Sequence, residues 1–400
     1  MKLYAQHGHA PSRKMHTAVE NNIIEGVILS PRYLTPENSK NLVNELKDIN
    51  NDVDILLDPE FYSTIYVGTP NAQLRYLEEW PHFVPQRRNE LLVGSKGVDD
   101  TIKKAYKIQI EIGCTQIIAP NIYITNSFDS IEAAIAISFI NRAKPIANEM
   151  NIEKPVYTTL SVSKNAIVDQ QNYINYLNAI TAIDLSPDGV YILIGAGRTD
   201  ERGGTVRSEI LTKDVISGWM LLNYSLSLNG LEVVNGFSDI LTPFLCASGG
   251  YAGTTGWWSN LQVFSMGRYI KSSGGGQLPL IRYLSKKLLN RITINEREAF
   301  VEFIPSIMNG LPTDISYEGR QPDRIEEALQ TWQSISSLND DVVSEDINES
   351  LSRLRNFTDE AENSCIQLKN LGFSENFESN MDYLLALKES LTYFEQLAEL

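Results

Sequence analysis

The sequence predicts a (β/α)8 barrel over residues 1–295 followed by an acidic helical extension over residues 296–400. Three observations predict it. Eight short runs recur along the first part of the chain, at residues 2–7, 26–30, 54–58, 116–121, 156–162, 190–195, 231–235 and 251–256. The first seven are rich in Val, Ile, Leu, Tyr or Thr, as strands covered on both faces should be. Longer amphipathic stretches at 37–49, 99–112, 130–150, 170–183 and 208–228 read as helices between them, which calls for a parallel sheet. No Gly-rich nucleotide fingerprint follows the first run, so a closed barrel is expected rather than an open doubly wound sheet.

The bulk properties exclude several classes. The net charge of −16 argues against a general nucleic-acid coat or a membrane-surface protein. Cys114, Cys246 and Cys365 are scattered and odd in number, so neither a disulfide framework nor a Cys-rich zinc site is expected, and no metal is assigned. The first residues show no basic-then-apolar leader, and no apolar run reaches a membrane span of about 20 residues. A cytoplasmic protein without a membrane association is the expectation. No Walker loop, Gly-x-Ser-x-Gly elbow or His-Glu-x-x-His helix occurs, and no cofactor is expected.

Two segments depart from a minimal barrel. After the third run, residues 60–97 form an aromatic-rich insertion carrying Phe61, Tyr62, Tyr66, Tyr76, Trp80 and Phe83 with Arg75, Arg87 and Arg88. A loop of that length is usually functional, and its aromatic content argues for order. Charge is also segregated. Residues 241–295 contain no Asp or Glu but carry Arg268, Lys271, Arg282, Lys286, Lys287 and Arg291, whereas the chain beyond Pro312 is strongly acidic. The 268–291 segment reads either as a face for nucleic acid or a partner protein, or as the intrachain mate of the acidic tail. Within the tail, Ile325, Leu329, Trp332 and Ile335, and then Tyr383, Leu384, Leu387, Leu391 and Phe394, form helical stripes that must be buried. From about Pro322 the tail is expected to be separable, docking on another chain, as in an oligomer, or on the barrel's own basic face.

Reacting groups of such barrels sit at the C-terminal ends of the strands. That rule selects Gln6, His7 and His9, Ser30 and Arg32, Asp58, Glu60 and Tyr62, Asn121, Ser161, Gly195, Gly197 and Arg198, Asn235, and Thr254, Thr255, Trp257 and Trp258. Asp58 closes the run Asp54-Ile-Leu-Leu-Asp58, where a carboxylate faces the barrel mouth as a base or as an acceptor for an amidine-like nucleobase edge. Its structural alternative is a cap or an ion pair with Arg32. Tyr62 follows with a flat ring for stacking. Gly195, Gly197, Arg198, Arg202 and Arg207 place open backbone beside three guanidinium groups suited to phosphate, or form a solvated turn. Two histidines at His7 and His9 without a clear third ligand make a weak metal site.

This arrangement resembles the tRNA-guanine transglycosylase superfamily and its relatives in 7-deazaguanine metabolism. In that superfamily an Asp after the third strand is followed four residues later by an aromatic that stacks on the exchanged base, and Asp58 and Tyr62 fill that spacing. Gly195 and Gly197 resemble the Gly-rich end of the sixth strand that holds the base. Asn121 and Ser161 stand where polar residues read its edge. The resemblance implies a barrel transferase that binds or exchanges a purine or 7-deazaguanine, and some relatives occur in DNA-modification and antiviral-defence gene sets. The family's nucleophilic Asp near the eighth strand has no counterpart in residues 251–258, and its Cys-Cys-Cys-His zinc site is absent. Asp58 or Glu60 would have to act as nucleophile, or the barrel is a catalytically inactive scaffold that docks a partner. A lyase or aldolase barrel would want a lysine at a strand end, and those ends have none.

Overall fold

The computed structural model describes residues 1–92, 96–196, 209–271, 279–373 and 377–400. Strands β1 (Lys2–Gln6), β2 (Gly26–Leu29), β3 (Asp54–Leu57), β4 (Ile117–Ala119), β5 (Tyr123–Ile124), β6 (Val156–Ser163), β7 (Gly189–Gly195), β8 (Glu232–Gly236) and β9 (Ala252–Thr255) form one parallel sheet. Its order is β3-β2-β1-β9-β8-β7-β6-β4, with β5 also paired to β6, so β4 and β5 act as one interrupted stave. Eight staves make a nearly closed barrel. Between β3 and β4 closure passes through Thr115, whose backbone N–H donates to the Ile55 carbonyl at 2.8 Å and whose Oγ1 accepts from the Ile55 N–H at 2.7 Å. The eighth run, weak in β-formers, still forms a strand because β1 and β8 flank it on either side.

The outer layer includes α1 (Lys14–Glu20), α2 (Pro36–Ile49), α3 (Arg88–Leu92), α4 (Lys96–Ile112), α5 (Ile131–Glu149), α6 (Lys164–Val168), α7 (Gln170–Thr181), α8 (Lys213–Leu228) and the short α9 (Thr242–Ala247). Helix α2 shows how these form. Thr35 caps it by accepting from the Asn38 N–H at 3.2 Å, Pro36 opens its first turn, and Leu42, Val43 and Leu46 line its buried face. No helix among the described residues is long and apolar enough to cross a membrane.

Beyond the barrel, β10 (Arg282–Ser285) and β11 (Asn290–Thr293) form an antiparallel hairpin, followed by α10 (Ile294–Val301), α11 (Arg324–Val342), α12 (Ile347–Asn370) and α13 (Phe377–Ala398). Helix α11 lies against β1, α1 and α9, in the outer-layer place that follows the eighth stave. The Trp332 indole N–H donates to the Thr255 carbonyl at 3.3 Å, and the Gln330 amide bonds both backbone groups of Leu284. Helix α13 packs along α8, where Tyr224 and Phe394 meet edge to face at 5.9 Å. The two apolar stripes of the tail are thus covered within the chain, and one hydrophobic core runs from the barrel through Trp332, Ile335, Leu387 and Leu391. The basic stretch is also engaged internally. Lys286 pairs with Asp341 at 2.5 Å, Lys287 with Glu360 at 2.7 Å, and Arg291 with Asp239 at 2.6 Å. Of the alternatives that charge segregation left open, Lys286 and Lys287 pair with the acidic tail, whereas Arg291 pairs with an acid of the barrel.

The boundary at residue 295 is therefore crossed by shared core rather than by a linker. A chain ending at Pro322 loses the helix that covers β1 and β9 and exposes contiguous apolar surface. Such a truncation should aggregate or fail to unfold cooperatively, and Trp332→Ala in the full chain should cost about 3–5 kcal/mol in denaturant titration. A soluble truncated barrel with a sharp transition would show that the tail is an independent appendage.

Candidate functional site

The C-terminal end of the barrel carries a buried polar network fed by four staves. Gln6 from β1, Tyr191 from β7, Thr254 from β9 and Asp58 just beyond β3 converge there. Tyr191 Oη lies 3.4 Å from Gln6 Oε1 and 3.3 Å from Asp58 Oδ2, and Thr254 Oγ1 donates to Gln6 Oε1 at 3.2 Å. All four side chains are buried. Asp58 Oδ1 accepts the Glu60 backbone N–H at 3.0 Å, and Oδ2 accepts the Tyr62 hydroxyl at 2.8 Å.

The turn after β3 is built to hold this geometry. Glu60 sits at φ +49°, a left-handed conformation unusual for a side chain of its size, and such strain persists only where neighbours over-determine it. The neighbours are visible. The His82 ring lies 2.8 Å through Nε2 from the Pro59 carbonyl, the Ser63 hydroxyl donates to the Glu60 carbonyl at 2.7 Å, and the Glu60 carboxylate accepts from Ser30 and from Tyr269 Oη at 2.5 Å. Burial pushes the Asp58 carboxyl up to about 7. The negative charge of Glu60 adds to this, while the Glu60 N–H, the Tyr62 hydroxyl and the Arg268 charge oppose it.

A segment after the eighth stave crosses the mouth and completes the site. Ala196, beyond β7, donates to the Phe264 carbonyl at 3.0 Å and bridges Ser265. At the other end, Gln73 of the insertion donates to the Tyr269 carbonyl at 2.7 Å, Ala72 bridges Ile270, and Lys271 donates to the Asn71 carbonyl at 2.8 Å. The strap between these anchors brings Tyr269 onto Glu60 and Arg268 over the Phe237 ring at 4.8 Å. The Nε and both Nη atoms of Arg268 are buried and have no hydrogen-bond partner among the described residues. Buried donors left without acceptors cost free energy, so this is not a neutral feature of the fold. His7 is similar. Both its ring nitrogens are buried and unpartnered, and burial lowers its pKa to about 3, so it stays neutral.

The residues selected from the sequence divide into three groups. Asp58, Glu60 and Tyr62 are brought together, but Tyr62 is buried and hydrogen-bonded to Asp58, with its ring edge-on to Phe264 at 5.3 Å and to Tyr269 at 6.1 Å. Its ring thus packs against the strap. A second group serves the scaffold. The Asn121 amide donates to the Thr159 carbonyl at 2.8 Å and the Ala136 carbonyl at 3.3 Å while accepting the Ile122 N–H at 2.8 Å. Ser161 donates to the Ile122 carbonyl at 3.0 Å, and a Cβ on Gly195 would collide with the Tyr123 hydroxyl. Thr255 donates to Asp239 Oδ1 at 2.7 Å, and Asp239 receives both Nη atoms of Arg291, so this acid after β8 is committed to the hairpin. Trp257 donates to the His9 carbonyl at 2.9 Å and meets Trp332 edge to face. The third group, Gly197, Arg198, Arg202 and Arg207, lies outside the described residues. No group of three or more His, Cys, Asp and Glu positioned for a metal occurs among the described residues. The residues of the buried mouth network that strand-end reasoning did not select are Arg268, Tyr269 and Tyr191.

Comparison with known proteins finds no family model that matches the chain and no curated protein that matches it. The class rests on the fold and the mouth alone: an α/β barrel with a sealed carboxyl pair and an unsatisfied arginine at its C-terminal end.

A carboxyl group protonated to about pH 7 when folded, against 3.8 as its ordinary value, favours the folded chain fully below pH 4. That contribution is withdrawn as pH climbs through 7, by an amount on the order of 4 kcal/mol. Asp58→Asn should remove the penalty, because Asn keeps an acceptor for the Glu60 N–H and offers its amide to the tyrosine hydroxyls. Urea titrations should find the variant at least as stable as the parent at pH 8 and near it at pH 5. A variant markedly less stable at pH 8 would mean that Asp58 is ionised and stabilising.

Proposed function

We propose that the barrel mouth binds a purine or 7-deazapurine base and acts on its N-glycosidic bond, as a transglycosylase-like transferase working on a nucleic acid or another conjugate. The observation that carries this reading is the Asp58 carboxyl, poised to exchange a proton near neutrality beside a second buried carboxyl group, Glu60. Splitting the protonation of two neighbouring carboxyls is how one site supplies both an acid and a nucleophile. In this scheme the Glu60 carboxylate attacks C1′ of the sugar and the C1′–N bond breaks. The electron pair leaves with the base, which takes the Asp58 proton. The incoming base reverses the sequence, giving up its proton to Asp58 and displacing Glu60 from C1′. Ser30 and Tyr269 orient Glu60, and Tyr62 and Tyr191 hold Asp58.

A non-catalytic reading has one observation in its favour. No acid stands in the eighth stave, and the nearest acid after β8, Asp239, is bound to Arg291 and Thr255. A binding-only barrel would hold the base without exchanging it.

Purines or 7-deazaguanines should raise the melting temperature while pyrimidines do not. Binding at a hundredfold excess over Kd adds about 2.7 kcal/mol. Absence of a shift with every purine at millimolar concentration would remove the nucleobase reading. Binding of a purine without incorporation of labelled base into any polynucleotide would favour the binding-only barrel.

A further inference from the structure

The mouth is rich in donors and poor in acceptors. The charge of Glu60 favours the charged guanidinium of Arg268, but neither carboxylate accepts a hydrogen bond from it: the oxygens of Glu60 are taken by Ser30 and Tyr269, and those of Asp58 by the Glu60 N–H and two tyrosines. A guanidinium has five N–H donors, and all those of Arg268 are left over. A second guanidinium lies close by. Arg32 is 5.1 Å from the centroid of the Tyr269 ring, whose other cation is Arg268 at 5.8 Å. Arg32 also lies over the Tyr33 ring, and Arg75 approaches that ring at 4.8 Å. Arg32 donates through Nε to the Gln73 carbonyl at 2.8 Å, through Nη1 to the Tyr33 hydroxyl at 3.1 Å and through Nη2 to Gln73 Oε1 at 3.5 Å, and its positive charge remains without a carboxylate in ion-pair contact among the described residues. His7, edge-on to Tyr33, adds an unpartnered ring N–H. Phe237, beneath Arg268, is held at φ +56°, a strained position of the kind found at ligand clamps.

We infer that Arg268, backed by Arg32, forms an oxyanion subsite for a phosphate group carried by the ligand. Phosphate suits it better than carboxylate because several forked donors need several acceptor oxygens, and a planar guanidinium meets two of them at once. The position agrees with the general habit of these barrels, which bind phosphate at the loops after the seventh and eighth strands, where Phe237 and Arg268 lie. This subsite goes beyond base binding, and a probe without a base tests it separately.

Isothermal titration of the intact protein with inorganic phosphate should show binding, and Arg268→Gln should weaken it at least tenfold. Acetate at equal concentration should bind much more weakly in the parent. No phosphate binding by the parent, or unchanged binding by the variant, would overturn the assignment. So would acetate binding as tight as phosphate.

Discussion

Asp58 ends the third stave with its carboxyl group sealed from water, and the mouth of the barrel is arranged around that constraint. A buried carboxyl must be hydrogen-bonded or it destabilises the fold. Its partners come from its own turn and from the far wall: the Glu60 N–H, the Tyr62 hydroxyl and Tyr191 from β7. Tyr191 also reaches Gln6, which is bonded to Thr254. Satisfying one acid therefore ties together staves on opposite sides of the barrel, which the gap between β3 and β4 leaves without a continuous ladder.

The same constraint explains the strap and the insertion. Glu60 can hold its position only because Tyr269 comes down on it from residues beyond the eighth stave and His82 fixes Pro59 from the insertion. The insertion and the strap meet each other through Gln73 and Lys271. Together they exclude water from the acid pair, which raises the Asp58 pKa and strengthens every electrostatic contact inside the mouth. Arg268 enters on the same strap, so the residue best placed to meet a ligand is positioned by the elements that bury the acids.

Much of the barrel was legible in the sequence because strands buried on both faces are continuous apolar runs, and these periods survive any tertiary detail. The Asp58 and Glu60 positions were legible because a charge at the end of such a run has only the barrel mouth to face. Other roles depended on contacts between distant segments. The spacing of Asp58 and Tyr62 fits a stacking aromatic and a tyrosine-to-carboxylate hydrogen bond equally well, and the geometry shows the second. Asn121 and Ser161 stand at stave ends, yet they satisfy backbone groups exposed by the interruption between β4 and β5. Arg268 appeared in the sequence only as one charge in an acid-free stretch. That it has no hydrogen-bond acceptor among the described residues follows from the path of residues 264–270 across the mouth, which no local pattern encodes. The tail's stripes were plain, but their cover, α8 for one and the β1 and β9 wall for the other, lies far along the chain, 77 residues away even between Trp332 and Thr255.

The most direct measurement is the ionisation of Asp58 itself, followed by carboxyl carbon NMR of aspartate-labelled protein with Asp58→Asn as the assignment control. The resonance lost in the variant should titrate with a midpoint near pH 7 in the parent. A midpoint at or below the ordinary aspartate value near 3.8 would contradict an Asp58 carboxyl whose proton is held by burial at the barrel mouth.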